Sequence, residues 1–283
     1  MSITGAAKLA GIIGWPVAHS RSPALHGYWL KEYGIDGAYV PMAVKPENLR
    51  RALQALPLLG FAGCNLTIPH KEDALQAVDE YEPSAKRAGG VNTIVIQPNG
   101  RIVGSSTDGY GFIAALRAEL TGFNAASGPA VVLGAGGAAR AIVAALLDEG
   151  AREVRLVNRT PERAAKLAKA LGGEVRGVAW EKRHEALAGA SLLVNATSLG
   201  MVGQPALELS LDNLARDAAV NDIVYVPLET PLLAAARARG NRCVDGLGML
   251  LQQACPGFEA WFGVKPEVTQ GLRQAMLATL GQG

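Results

Sequence analysis

Between Val131 and Arg140 the sequence reads VVLGAGGAAR, and few stretches of that length leave a chain so little choice of fold. Three apolar residues, Val131 to Leu133, predict a strand, and small or apolar residues at helical spacing through Ile142, Val143, Leu146 and Leu147 predict a helix. Between them, Gly134 permits a sharp turn, Gly136 lets main chain approach a pyrophosphate, and Ala139 keeps helix and strand close. The open N–H groups at the helix start, on its positive end, suit phosphate oxygens. A second strand, Val154 to Val157, then runs into Asn158-Arg159-Thr160 where a ribose-binding acid is expected. An acid there would accept from a 2′-hydroxyl and repel a 2′-phosphate. Arg159, with Arg163 one turn further on, offers phosphate a planar donor fork instead. The segment predicts an NADP site in preference to NAD, with Gly134, Ala135, Gly136, Gly137 and Ala138 forming the turn and Asn158, Arg159, Thr160 and Arg163 around the adenosine end.

Length and composition bound the rest. At 283 residues the chain is large for one domain and comfortable for two, and a hydrophobic content of 49% supplies buried cores. A net charge of only +2, without runs of like charge, argues against a nucleic-acid or membrane surface. No segment approaches about 18 uninterrupted apolar residues, and the start, MSITGAAKLAG, lacks the apolar core of a secretion signal. Cys64, Cys243 and Cys255 are far apart and odd in number, which predicts reduced, mostly buried thiols in a cytoplasmic protein. His19, His26, His70 and His184 have no zinc-type spacing, so no metal is expected.

Strand-like and helix-like segments alternate from the start: strands at Leu9–Ile13, Ala38–Ala43 and Gly63–Ile68, helices at Pro23–Tyr33, Pro46–Leu56 and Lys71–Val78. Thr93–Ile96 and Arg101–Gly104 flank Pro98-Asn99-Gly100 and predict an antiparallel hairpin in an otherwise parallel sheet. After a helix at Asp108–Leu120 and the glycine turn come strands near Val154–Val157, Glu174–Val178, Leu192–Asn195, Ala219–Ile223 and Arg242–Val244. Helices are expected at Pro161–Leu171, Pro231–Arg239, Gly246–Phe262 and Pro266–Leu280. This predicts an α/β protein of two domains with a cleft between them: a mostly parallel N-terminal substrate domain, residues 1–107 plus 246–283, and a Rossmann-type dinucleotide domain, residues 108–245.

Three N-terminal clusters are unusually polar. In the loop Gly14 to Pro23, Ser22 reads most economically as a helix N-cap ahead of Pro23, whereas Ser20 has no such explanation. In Cys64-Asn65-Leu66-Thr67-Ile68-Pro69-His70-Lys71, strand alternation puts Asn65 and Thr67 on one face and Cys64, Leu66 and Ile68 on the other, with Lys71 at the carboxyl end. Taken alone, Thr67 is a good strand former and Lys71 a solvated residue. The third cluster is Gly89-Gly90-Val91-Asn92-Thr93 with Ser105 to Gly109, where Asp108 could be an N-cap. His19 and His70 read as surface or loop-packing imidazoles.

Together these segments resemble the shikimate dehydrogenase family: GWPVAHSRSP, CNLTIPHKE, GGVNTI, STDGYGF, GAGGAAR, NRT, NATSLGM, VYVPLETPLL and DGLGMLLQQA follow in order from Gly11 to about Gly263. The resemblance implies NADP-dependent, reversible reduction of 3-dehydroshikimate to shikimate in aromatic amino acid biosynthesis. It implies Ser20 and Ser22 on the substrate carboxylate, with Tyr225 closing that end, and Thr67, Asn92, Asp108 and Gln253 on ring hydroxyls. Lys71 and Asp108 are implied as the catalytic pair, Thr197 on the cofactor side, and Gly246 near the nicotinamide. Reducing a ketone develops alkoxide charge, which an ammonium stabilises and protonates while a neighbouring carboxylate orients it. Two positions depart from the pattern: Gly27 and Ser106 stand where family members often have asparagine. Three other readings remain: a quinate/shikimate dehydrogenase with broader substrate or NAD use, a cofactor-binding regulator without turnover, and an acyl reductase using Cys64. Nothing in the sequence decides between a monomer and a homodimer.

Overall fold

The computed structural model describes residues 3–280, in two units: residues up to Thr107 with those from Gln253 onward, and Asp108–Gln252. In the first, β1 (Lys8–Gly14), β2 (Gly37–Ala43), β3 (Phe61–Leu66), β4 (Glu80–Tyr81), β5 (Thr93–Ile96) and β6 (Ile102–Ser105) form a six-stranded sheet ordered β2-β1-β3-β5-β6-β4. β1 is parallel to β2 and β3, and β4 to β6, whereas β5 is antiparallel to both β3 and β6. The hairpin forms as its turn residues predict: Gly100 adopts φ +82° and the Asn99 carboxamide accepts from the Arg101 N–H at 3.0 Å. β2 is a margin of the sheet. The Asp36 carbonyl accepts from Lys8 and the Val44 N–H donates to Gly14, so the even-numbered backbone of β2 faces β1 and the odd-numbered backbone, Pro41 included, faces away.

Helices α1 (Ser22–Glu32), α2 (Leu49–Ala55) and α3 (Pro83–Ala88) belong to this unit. Three details differ from the sequence reading. Lys71–Val78 is not an α-helix but a 3-10 turn at Asp73–Gln76, because the Lys71 carbonyl, which a helix would use locally, accepts instead from the Val91 N–H at 2.8 Å. The alternation of β3 stops at Leu66, leaving Ile68 at 61% exposure. β4 and α3 carry too few apolar residues to show a period and were not foreseen.

In the second unit, α4 (Asp108–Glu119) leads to a parallel sheet of β7 (Ala130–Leu133), β8 (Val154–Asn158), β9 (Val175–Ala179), β10 (Leu192–Asn195), β11 (Ala219–Asp222) and β12 (Arg242–Val244). Its order is β12-β11-β10-β7-β8-β9, the doubly wound arrangement, with the strand order reversing between β7 and β10. Continuous apolar runs in β7 and β10 are buried on both faces, under α5 (Gly137–Asp148), α6 (Pro161–Leu171) and α7 (Pro231–Ala238). Gly109 lets α4 lie against α5: a Cβ there would come within 2.9 Å of the Ala145 Cβ.

Helix α8 (Gly246–Phe262) contains the division between the units, and α9 (Gln270–Leu280) ends the described chain. α9 starts later than Pro266 because the preceding segment is pinned to α1. Trp29 Nε1 donates to the Glu267 carbonyl at 3.0 Å, and the Glu267 N–H donates to Tyr33 Oη at 2.9 Å.

Aromatic residues of α1, β2 and α8 make the interior of the first unit. His26 is fully buried, stacked on Tyr39 at 4.0 Å and 10°, with Trp29, Phe258 and Trp261 around it. Burial holds its imidazole pKa down to about 3. The unfolded chain, with an ordinary histidine, therefore binds the extra proton as pH falls below about 6.5, and the folded state loses stability progressively from there toward pH 3. His26→Phe is expected to remove roughly 2 kcal/mol of the stability lost between pH 7 and pH 5. Urea unfolding at the two pH values checks this; an unchanged pH difference refutes it.

Candidate active site

In the first unit the topology gathers the polar clusters at one margin. β1, β3 and β6 run toward it and end at Gly14, Leu66 and Ser105, while the reversed strand β5 starts from it just after Asn92. The loops after β1 and β3 are laced together: Trp15 N–H donates to the Ile68 carbonyl at 3.1 Å and Thr67 N–H to the Ile13 carbonyl at 3.0 Å. Gly14 is required for this approach, since a Cβ would fall 2.6 Å from Thr67 Cγ2. Lys71 is anchored by its carbonyl to Val91, next to Asn92, and Gly90 leaves room for its Cβ.

Ser22 is not a cap. α1 begins at Ser22 itself, with Arg21 in the N-cap position and no side chain capping the helix, so the economical explanation of this hydroxyl fails. Its N–H donates to Ser20 Oγ at 3.3 Å, and its hydroxyl bonds Tyr39. Asn65 joins the two clusters: Tyr39 Oη donates to its Oδ1 at 2.6 Å, and its Nδ2 donates to the Asn92 carbonyl and to Thr93 Oγ1, both at 3.1 Å. Asn92 Oδ1 then accepts from Thr93 Oγ1 at 2.9 Å and from Thr107 N–H and Oγ1 at 2.9 and 3.1 Å. Gln253 lies on α8 and is half-buried. Buried His70 packs between loops, with Nε2 at 2.8 Å from the Val44 carbonyl, and His19 is exposed. Cys64 is wholly buried, and burial pushes its thiol far up, which removes it as a nucleophile.

In the second unit the glycine turn lies beside the point where the strand order reverses. Gly134 adopts φ +108°, and a Cβ there would come 2.9 Å from the Ala196 carbonyl and 3.1 Å from Thr197 Cγ2. Gly136 and Gly137 are exposed with open space over them, and no side chain caps α5. Ala135 and Ala138 complete the turn. At the end of β8, Asn158 Nδ2 donates to the Thr160 carbonyl at 2.9 Å, while Arg159, Thr160 and Arg163 are exposed. A bare helix start beside exposed arginines fits a dinucleotide carrying a 2′-phosphate.

A buried carboxylate, unforeseen from sequence, organises the loops after β10 and β11. Asp222 accepts from Asn195 Nδ2 at 3.0 Å, Val224 N–H at 3.0 Å and Thr230 Oγ1 at 2.7 Å; Asn195 Oδ1 accepts from Thr197 Oγ1 at 2.7 Å. Burial raises the Asp222 pKa against these bonds. Tyr225 follows in the same loop, half-buried. Gly246 lies so close to the Ile223 carbonyl that a Cβ would sit 2.2 Å from its oxygen, and Asp108, buried, is the first residue of α4.

Three family models cover the chain: shikimate dehydrogenase substrate binding domain at residues 12–94, shikimate / quinate 5-dehydrogenase at 117–227, and shikimate 5'-dehydrogenase C-terminal domain at 246–277. The chain is 60% identical to a shikimate dehydrogenase (NADP(+)) of Rhodospirillum rubrum, over 97% of this chain and 99% of that protein. This chain belongs to the shikimate dehydrogenase family. The Thermus thermophilus shikimate 5-dehydrogenase, solved with NADP(H) and shikimate, matches at TM-score 0.84 and 40% identity, over 96% of this chain and 99% of that one. Quinate dehydrogenase from Corynebacterium glutamicum, solved with NAD, matches at TM-score 0.89 and 32% identity, over 96% and 99%.

The two departures from the shikimate dehydrogenase pattern fall in different settings. Gly27 is exposed on α1 and lines a cavity of about 510 Å³ beside Lys31, Asp36 and Tyr39. Ser106 is held by its backbone, its N–H donating to Ser84 Oγ at 3.2 Å. Sequence reasoning missed Tyr39, which passed as an ordinary strand former, and placed Asn65 and Thr93 in polar clusters without giving them a role. The available signal was the density of hydrogen-bonding side chains in strands that are otherwise apolar.

Proposed function

We propose that this chain catalyses the NADP-dependent, reversible reduction of 3-dehydroshikimate to shikimate, with the first unit holding the substrate and the second the dinucleotide. The reading is carried by the gathering of Ser20, Ser22, Thr67, Lys71 and Asn92 at one sheet margin of a chain 60% identical to an NADP-dependent shikimate dehydrogenase. The serine hydroxyls suit a carboxylate and the amide and threonine groups suit ring hydroxyls, with Tyr225 and Gln253 completing the set. Lys71 gives a proton to the ketone oxygen as alkoxide charge develops, and takes one from the hydroxyl in reverse. Asp108 keeps the ammonium oriented. NADPH, when bound, supplies the hydride. Gly134, Gly136 and Gly137 with the start of α5 receive the pyrophosphate, and Thr197 and Gly246 border the nicotinamide. Asn158, Arg159, Thr160 and Arg163 receive the adenosine 2′-phosphate.

Steady-state kinetics with shikimate or quinate, each with NADP or NAD, test this reading directly. Shikimate with NADP is expected to give the highest kcat/KM; a preference for quinate with NAD would assign the chain to the other activity. Arg159→Ala is expected to raise KM for NADP by about 10- to 100-fold, the loss of a charge-assisted phosphate contact, and to leave KM for NAD nearly unchanged. Equal changes for both cofactors would place the 2′-phosphate elsewhere.

A further inference from the structure

Asp222 ends β11 without exposed surface, and three neutral donors meet its carboxylate: Asn195 Nδ2 and Val224 N–H on Oδ1, both at 3.0 Å, and Thr230 Oγ1 on Oδ2 at 2.7 Å. No cation pairs with it among the described residues. A buried charge in that setting is tolerated only while its donors stay in place, and each bond is stronger for being made to an ionised group. The donors come from three separate stretches: the end of β10, the residue before Tyr225, and the residue before α7.

These stretches depend on Asp222 unequally. Asn195 has other ties: its Nδ2 also donates to the Leu199 carbonyl at 3.1 Å, and its Oδ1 accepts from Thr197 N–H and Oγ1 at 3.1 and 2.7 Å, so the turn carrying Thr197 is held without the carboxylate. The segment from Val224 to Thr230 differs. Val224 N–H and the Thr230 hydroxyl proton have no other acceptor among the described residues, and both residues are buried. Between them Val202 N–H donates to the Val226 carbonyl at 2.9 Å, which fixes the middle of the segment but neither end. The Thr230 oxygen is also committed, accepting from Leu233 N–H at 3.3 Å as the cap of α7. One carboxylate thus clasps the segment at both ends, and Tyr225 is next to the first clasp.

We infer that Asp222 is a positioning residue for the substrate: through its bonds to Val224 and Thr230 it sets the backbone that presents Tyr225. This rests on the function proposed above and on the substrate contact given there to Tyr225. Asp222 itself, fully buried, touches no ligand.

Asp222→Asn tests this, since it keeps the shape of the side chain and distinguishes its two oxygens. The amide oxygen must face Asn195 and Val224, because the reverse would set NH2 against two donors, so the Thr230 proton alone loses its acceptor. KM for shikimate is expected to rise by about 3- to 10-fold, the scale of one hydrogen bond lost, with kcat and the KM for NADP nearly unchanged. A purely structural role would instead lower the fraction of folded enzyme, and with it kcat, and leave both KM values as they were. Thr230→Val breaks the same bond from the other side and should likewise raise KM for shikimate, whereas Thr230→Ser should keep the wild-type value. Asp222→Asn and Thr230→Val together should raise it no more than the larger effect alone, and in a Tyr225→Phe background the effect of Asp222→Asn should shrink. An unchanged KM for shikimate in Asp222→Asn, a loss confined to kcat, an equal rise in the KM for NADP, failure of serine to preserve the wild-type value, or additive effects in either double variant would each overturn the inference while leaving the function reading in place. Wild-type protein without shikimate-dependent NADPH formation fails the function reading itself, and the inference falls with it.

Discussion

Replacing Lys71 by alanine is expected to lower kcat by about 10²- to 10⁴-fold, the range associated with loss of a positioned proton donor, while NADP binding is retained. The separation of the two effects is the informative part. Lys71 belongs to the first unit and the glycine turn to the second, so a residue serving chemistry should be removable without loss of cofactor affinity. Its main-chain anchor, the carbonyl bond to Val91, survives the substitution, and the fold around it should too. Cofactor titration by fluorescence alongside steady-state turnover separates the outcomes; equal loss of turnover and NADP affinity refutes the assignment. Asp108→Asn should reduce kcat as well, because the amide no longer holds an ammonium by charge.

A second large effect is expected in stability. Gly63 lies in β3 at φ +155°, and a Cβ there would sit 2.0 Å from the Ile94 carbonyl oxygen and 2.3 Å from Trp261 Nε1. Those two atoms are hydrogen-bonded to each other at 2.8 Å, so alanine would collide with both partners of a buried bond while occupying a conformation that glycine alone accepts easily. Overpacking, backbone strain and the broken bond together amount to roughly 4 kcal/mol, a large share of the roughly 5–15 kcal/mol that holds a domain folded. Gly63→Ala should therefore be recovered mainly as aggregate, or melt far below the wild type. Gly27→Ala supplies the contrast: it lies in α1 with nothing near its would-be Cβ, and should stabilise by about 0.5–1 kcal/mol. Thermal unfolding of both variants decides the matter; a Gly63→Ala protein as stable as the wild type would contradict the packing described.

The contrast between these glycines shows what a sequence displays and what it conceals. The alternating strands and helices were legible because their apolar periods are local and their ends are marked by glycine and proline, as at Gly134 and Pro98-Asn99-Gly100. The helix expected at Lys71–Val78 failed because one carbonyl is used by a residue far along the chain, which no local pattern encodes. α9 started late for the same reason, its leading segment being tied to α1. In the candidate site, the clusters holding Ser20 and Lys71 stood out by their polarity, while the roles expected of those residues came from the resemblance. The hydrogen-bond partnership of Tyr39, Asn65 and Thr93 was not legible, since it depends on which side chains the sheet brings face to face. Ser22 was misread for a comparable reason: a serine before a proline resembles a cap, and only the backbone shows that the helix has already begun.

Pro41 interrupts the outer main chain of β2, one edge of the first unit's sheet. An extended peptide laid along the outer side of β2 would find donors at Gly37, Tyr39 and Ala43 but none at Pro41, so the ladder it needs is interrupted mid-strand. The margin is therefore a poor template for strand addition, and the protein resists end-to-end growth of its sheets through that side.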